Sequence, residues 1–191
     1  MLNMQKIKAM KRIKEEFMSL NENPLCNLGA LVGFLNEDNI FKWRCSLFGP
    51  KDTSYSGGLF NLEIDFPDNY PETPPEIFFT TPIYHINVNP FKPKDNEETT
   101  EILGHVSLNM LNFWKPEYTI KEVIIHSFYL LYKPNPNCGY GLERVHEFKE
   151  NKNLYEKKIR YFTRKYAWPS LSNNDKKYNS DWDFNVDINR L

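Results

Sequence analysis

Phe60-Asn61-Leu62-Glu63-Ile64-Asp65-Phe66 carries an apolar side chain at every second position and a polar one between. Successive side chains of a strand point to opposite faces, so this run predicts a strand with one face in a core and one in water. Half-buried strands of this kind belong to antiparallel sheets. Pro67 closes the run, and Ser56-Gly57-Gly58 makes a turn before it. Upstream, Phe41, Trp43, Cys45 and Leu47 alternate with Lys42, Arg44 and Ser46, a second strand over 40–48 that Gly49-Pro50 ends. Residues 25–35 read as a weaker strand interrupted by Gly29 and Gly33, and Ile77-Phe78-Phe79-Thr80 as a short fourth one. No helix-length segment separates the four strands, which predicts an antiparallel meander.

Helical spacing flanks the meander. Ile7, Met10, Ile13, Phe17 and Leu20 set a helix over 4–20, which Asn21-Glu22-Asn23-Pro24 stops. Between Tyr84 and Leu111 no period is sustained. Thr119 then stands as cap to a helix over about 120–132, with Val123, Ile124, Phe128 and Leu131 on its apolar face and Pro134 beyond it. Leu142, Val145, Phe148 and then Tyr155, Ile159, Phe162, Tyr166 predict two more helices. One helix, a four-stranded meander, a long irregular segment and three helices make an α+β order.

Composition narrows the class. In 191 residues, 24 Lys and Arg oppose 25 Asp and Glu, a balance that gives no field for nucleic acid or an anionic membrane. No run reaches the length of a membrane span, so direct insertion is not expected. The three cysteines, Cys26, Cys45 and Cys138, form no Cys-x-x-Cys, which implies neither a disulfide framework nor a metal site and suits a reducing compartment. No Asn-x-Ser/Thr sequon occurs. These features fit an intracellular, cytoplasmic protein. Residues 1–14 hold five cations and no acid, as mitochondrial transit peptides do. Their apolar spacing running on into Glu15-Glu16 favours a folded amphipathic helix.

Several motifs occur in a fixed order: Met10-Lys11-Arg12-Ile13, Phe41-Lys42-Trp43, Gly49-Pro50-Lys51-Asp52-Thr53, Tyr55-Ser56-Gly57-Gly58-Leu59-Phe60, Phe66-Pro67-Asp68-Asn69-Tyr70-Pro71, Pro74-Pro75, Trp114-Lys115-Pro116, Pro134-Asn135-Pro136 and Lys165-Tyr166-Ala167. Over about residues 7–168 the chain thereby resembles the ubiquitin-conjugating enzymes. The resemblance implies the UBC fold, with a domain over 4–168 and an extension over 169–191. In that family a His-Pro-Asn triplet precedes a Gly-x-Ile-Cys-Leu-Asp-Ile-Leu run whose cysteine carries ubiquitin as a thioester. Here the triplet reads His85-Ile86-Asn87 and the run Gly104-His105-Val106-Ser107-Leu108-Asn109-Met110-Leu111. Serine stands in the nucleophile's place, Asn109 replaces the aspartate, and Cys138 falls where the family carries an acid that helps the incoming lysine.

A serine hydroxyl is far less acidic than a thiol and needs a positioned base. His105 lies two residues from Ser107, but no acid is placed by spacing to orient it. Asn87, the family's oxyanion donor, has an alternative role in tying the loop together. Cys138, in Pro136-Asn137-Cys138-Gly139, reads as an incidental turn cysteine, with a substitute nucleophile as the alternative. Cys45 reads as a small core residue. These departures predict a pseudoenzyme with a vestigial site of Ser107, Asn87, His85, Asn109 and Cys138. It would need no cofactor and would serve as a binding module or structural subunit of a larger protein assembly. Two alternatives stand beside it: an active conjugating enzyme seen as a Cys-to-Ser form, and a regulatory variant that binds ubiquitin noncovalently. The second class usually lacks the last helices, which this chain keeps. Partners are then other protein subunits, with ubiquitin or an active conjugating enzyme as further ones.

Three surfaces complete the reading. Residues 90–101 form a polar insertion whose acids Asp95, Glu97, Glu98 and Glu101 would flank the groove that receives ubiquitin's tail. At the loops that RING-type ligases grip in the family, this chain has Glu72 and Lys115-Pro116-Glu117, and a carboxylate buried there is costly. Beyond Pro169, residues 170–180 are polar, but Trp182, Phe184, Val186 and Ile188 alternate with polar neighbours. A lone strand is unstable in water, so the tail is expected to dock with these four as anchors, on an open sheet edge or, preferably, on another subunit.

Overall fold

Strands β1 (Ala30–Asn36), β2 (Asn39–Phe48), β3 (Leu59–Asp65) and β4 (Glu76–Phe79) form one sheet in the order β1-β2-β3-β4, every pair antiparallel. This computed structural model describes residues 4–36, 38–90 and 104–168. The alternation in β3 is realised as expected: Phe60, Leu62 and Ile64 are buried, and Asn61, Glu63 and Asp65 lie on the other face. Across the strands Leu47 faces Phe60, Cys45 faces Leu62 and Trp43 faces Ile64, so one sheet face is a continuous apolar layer. Each large side chain so buried contributes roughly 1.5–3 kcal/mol.

β1 begins at Ala30, later than the expected strand over 25–35. Cys26–Leu28 form a turn of 3-10 helix, and Gly29 closes it at φ 64°, a left-handed conformation that only glycine adopts without strain. The alternating pattern cannot start until that turn is complete.

Helix α1 (Met4–Glu22) lies across the apolar layer through Ala9, Ile13 and Leu20, with Phe17 stacked on Phe34 at a ring separation of 4.1 Å. Ile7, expected on this stripe, is exposed, because the buried stripe instead runs through Ala9 and the carboxylate of Glu16. That carboxylate accepts from Arg12 Nε, from Tyr70 Oη at 2.7 Å and from the backbone N–H of Ile120. It joins α1, the loop after β3 and the start of α3 (Ile120–Tyr132). Thr119 caps α3 in a capping box with Glu122, contributing about 1 kcal/mol. Val123, Ile124, Phe128 and Leu131 are buried as their spacing requires.

A four-residue helix, α2 (Asn109–Asn112), precedes α3, and α4 (Leu142–Glu150) and α5 (Lys152–Phe162) follow it. α2 is too short for periodicity to reveal. In α4 Val145 and Phe148 pack on the core, but Leu142 is 90% exposed, because it occupies the first helical turn and faces outward. α5 widens into a π turn over Thr163–Ala167 and ends at Trp168, whose ring covers Gly57.

The segment between β4 and α2 is attached to the sheet. Phe79 N donates to Gly104 O at 2.8 Å and Val106 N to Ile77 O at 2.9 Å, so residues 104–106 occupy the outer edge of β4. Val88 then pairs with Val106, and Asn89 and Gly104 bond each other through Gly104 N and Asn89 O at 3.0 Å. The expected polar insertion therefore leaves and returns at one closed stem. Its residues from 91 on, and the tail from 169, lie outside the described residues. No helix among the described residues is long and apolar enough to cross a membrane.

Candidate functional site

The paired limbs 87–89 and 104–107 bring the triplet, Ser107 and the turn after α3 together. Ser107 N donates to Asn87 O at 2.8 Å, and Cys138 Sγ lies 3.8 Å from the Ser107 carbonyl. Asn135 and Cys138 belong to the Pro136–Cys138 turn, which Asn135 itself starts by accepting from Asn137 N at 3.0 Å. Four of the five expected residues thus meet: His85, Asn87, Ser107 and Cys138. Asn109 is on the first turn of α2 and is exposed.

Asn87 is fully buried, and its whole side-chain amide is engaged. Oδ1 accepts from Asn135 N at 2.8 Å, while Nδ2 donates to Asn135 O at 2.7 Å and to Cys138 O at 3.1 Å. A primary amide has two N–H donors, and both are taken by backbone carbonyls. Cys138 Sγ stands 3.4 Å from the same nitrogen.

His85 is also fully buried, and it has no free nitrogen. Nε2 faces the Leu130 carbonyl at 2.9 Å and Nδ1 faces Asn87 N–H at 2.9 Å. A carbonyl only accepts and an N–H only donates, so the proton sits on Nε2 and the ring is neutral. Burial lowers its pKa from 6.5 to about 4, and the charge on Arg144 adds to the fall, against the Leu130 bond. His105 is half-buried, which lowers its pKa. Its Nδ1 lies 2.6 Å from Tyr140 Oη and its ring packs on Phe78. His85 is committed through both nitrogens and His105 through Nδ1, and no hydrogen bond joins either ring to the Ser107 hydroxyl among the described residues. Cys45 is buried in β2, which pushes its thiol up to about 12.

Ile86, where the resemblance calls for proline, is fully buried and exposes an N–H that proline would lack. Tyr155 Oη accepts that N–H at 3.0 Å, and the Ile86 carbonyl accepts from Tyr140 N. Tyr55 Oη donates to the Tyr84 carbonyl at 2.9 Å. These tyrosine partners were missed as site residues. Tyr155 was legible only as one apolar position of α5, and its hydroxyl carried no signal of its own. Behind them Arg144 lies over the Tyr84 ring at 4.5 Å, and Glu147 binds Tyr84 Oη at 2.9 Å and Lys158 at 2.8 Å. Arg144 Nη1 and Glu147 Oε1 are buried without a hydrogen-bond partner among the described residues.

On the opposite flank Trp114 Nε1 donates to the Pro71 carbonyl at 2.6 Å, joining the loops that carry Glu72 and Glu117, both exposed. Among the described residues no group of three or more His, Cys, Asp or Glu could hold a metal ion. A family model described as ubiquitin-conjugating enzyme matches residues 12–163, which span the second half of α1, the sheet and every residue of the site above.

Proposed function

The chain belongs to the ubiquitin-conjugating enzyme family, and from that premise we propose that it is a catalytically inactive member serving as a binding module or structural subunit of a larger protein assembly. The observation that carries the reading is the saturation of Asn87. An oxyanion donor must have an N–H aimed at the developing charge, and both of its N–H groups are bound to Asn135 and Cys138 carbonyls. Among the described residues no histidine is hydrogen-bonded to the Ser107 hydroxyl, and His85 has both nitrogens used. Its partners are then protein subunits, and Glu72 and Glu117 argue against a RING-type ligase being among them. The balanced charge of the chain gives nucleic acid no purchase.

One observation favours a second reading, in which Cys138 replaces the missing nucleophile: its sulfur lies within the site, 3.4 Å from Asn87 Nδ2. A charging assay separates the two. The protein is incubated with activating enzyme, ATP and ubiquitin, and no adduct is expected. A band lost on reduction contradicts the inactive reading, and its disappearance in Cys138→Ser assigns the thioester to that thiol. A band resistant to reductant but absent from Ser107→Ala assigns an ester to the serine.

A further inference from the structure

A groove of about 890 Å3, lined by neither the triplet nor Ser107, is within the size range of ligand sites. One wall is the 52–56 loop, another the end of α3 with Leu131 and Lys133, and the third α5 with Ile159 and Arg160. Its floor is apolar at Leu131, Phe148 and Ile159, all packed on the core. Its rim is basic: Lys133, Lys152, Arg160 and Arg164 outnumber Asp52 and Glu156, and Glu156 is already bound by Arg160 at 3.4 Å and Lys152 at 4.0 Å. The Lys133 ammonium has no ion-pair partner among the described residues. Trp168, the last described residue, lines the same groove, so the described chain ends at its wall.

We propose that this groove is the seat of the chain's own segment 181–188, bound in cis. Asp181-Trp182-Asp183-Phe184-Asn185-Val186-Asp187-Ile188 has the complementary pattern. In an extended conformation Trp182, Phe184, Val186 and Ile188 share one face, which meets the apolar floor. Asp181, Asp183 and Asp187 share the other and meet the basic rim. Twelve residues, 169–180, connect Trp168 to this segment, and they reach about 40 Å when extended, ample to turn back. A tether of that length holds the segment at high effective concentration, which favours its own groove over a separate chain. The competing receptor, an open sheet edge, is reduced to β1, because residues 104–106 already cover β4. The proposal is independent of whether Ser107 is inert.

The test uses the full-length protein. A carbodiimide joins carboxylates directly to contacting lysines, and dilute protein should give intramolecular links from Asp181, Asp183 or Asp187 to Lys133 or Lys152 in the monomer. Absence of these links overturns the proposal, as do links found only between isotopically distinct copies. Hydrogen exchange supplies the second readout. In Trp182→Ala/Phe184→Ala the amides of 52–56 and 131–133 should exchange about tenfold faster than in the unchanged chain. Lys133→Glu, at an exposed position, should accelerate the same amides and those of 181–188 by a smaller factor. Unchanged exchange at the groove in both variants overturns the proposal, and acceleration confined to 30–36 assigns the tail to the β1 edge instead.

Discussion

The sheet and the segment that carries Ser107 are held by different physics. In the sheet, pairs such as Trp43–Ile64 and Cys45–Leu62 repeat one device, apolar contact over a backbone ladder, so the loss of any one is shared by its neighbours. Residues 85–89 and 104–107 have no such ladder: two isolated bridges, Phe78–His105 and Val88–Val106, and the few backbone bonds of the stem and the β4 edge are their share of it, and side chains add the rest. The segment is kept in place by single polar side chains, each reaching a different piece of backbone: His85 to Leu130, Asn87 to Asn135 and Cys138, Tyr55 to Tyr84, Tyr155 to Ile86. Redundancy specifies the one, and individual residues specify the other. The groups that would perform acyl transfer are the same groups that hold the backbone.

The largest test of this contrast is Asn87→Ala. It removes the partners of Asn135 N, Asn135 O and Cys138 O at a buried point. Leaving such groups unsatisfied costs about 3 kcal/mol in all, to be measured by urea unfolding. Ser46→Ala is the matching change on the sheet, where Oγ donates to Asn61 Oδ1 at 2.7 Å on the half-exposed outer face. It should cost no more than about 0.5 kcal/mol. Equal costs at the two positions would erase the distinction between the regions.

His85 sharpens it through pH. The ring is neutral in the folded protein, with its pKa lowered to about 4, whereas in the unfolded chain it titrates near 6.5. Above the unfolded value both states are neutral and stability is unaffected. As pH falls from there, the unfolded state takes up a proton that the folded ring refuses, so stability is lost between 6.5 and the folded pKa. Between pH 7.5 and 5 the loss is about 2 kcal/mol from this group alone. Subtracting the profile of His85→Asn from that of the unchanged protein isolates it. A flat difference would mean that the ring accepts a proton inside the fold.

The same contrast explains what the sequence disclosed. Period-two and helical spacing located β2, β3, α1 and α3, because burial of a repeated face leaves a repeated mark in the chain. β1 started late because a single left-handed glycine overrode the pattern, and Ile7 was misplaced because Glu16 takes a core position that hydrophobicity does not announce. At the site, the triplet and Ser107 were found by resemblance. Their partners were not, because a hydrogen bond between a side chain and a backbone group 45 or 69 residues away has no spacing to read. Leu130 contributes through its carbonyl, which every residue type possesses. Tyr140 contributes through its backbone N–H, and Tyr155 through a hydroxyl that helical patterning treats as ring area.

The smallest effect expected within the Ser107 segment concerns Ile86 and Tyr155, and it asks whether that segment was adjusted residue by residue. With proline at 86 there would be no N–H to satisfy, and a tyrosine hydroxyl at 155 would have nothing to accept there. With isoleucine, a buried donor appears, and Tyr155 Oη receives it at 3.0 Å. Tyr155→Phe leaves that donor unsatisfied and should cost roughly 1–2 kcal/mol. Ile86→Pro removes the donor together with buried apolar volume, so its own cost mixes two causes. The double variant separates them: once the N–H is gone, losing the hydroxyl should matter less, by a coupling of about 1 kcal/mol in a double-mutant cycle. If the two costs simply add, the hydroxyl serves another partner, and Tyr55 is the one to test, since after burial its interaction with Tyr155 also raises the Tyr55 pKa. A positive coupling would instead show that replacement of proline in the triplet and the hydroxyl on α5 act as one unit, a polar lock built where the family resemblance calls for an imino acid.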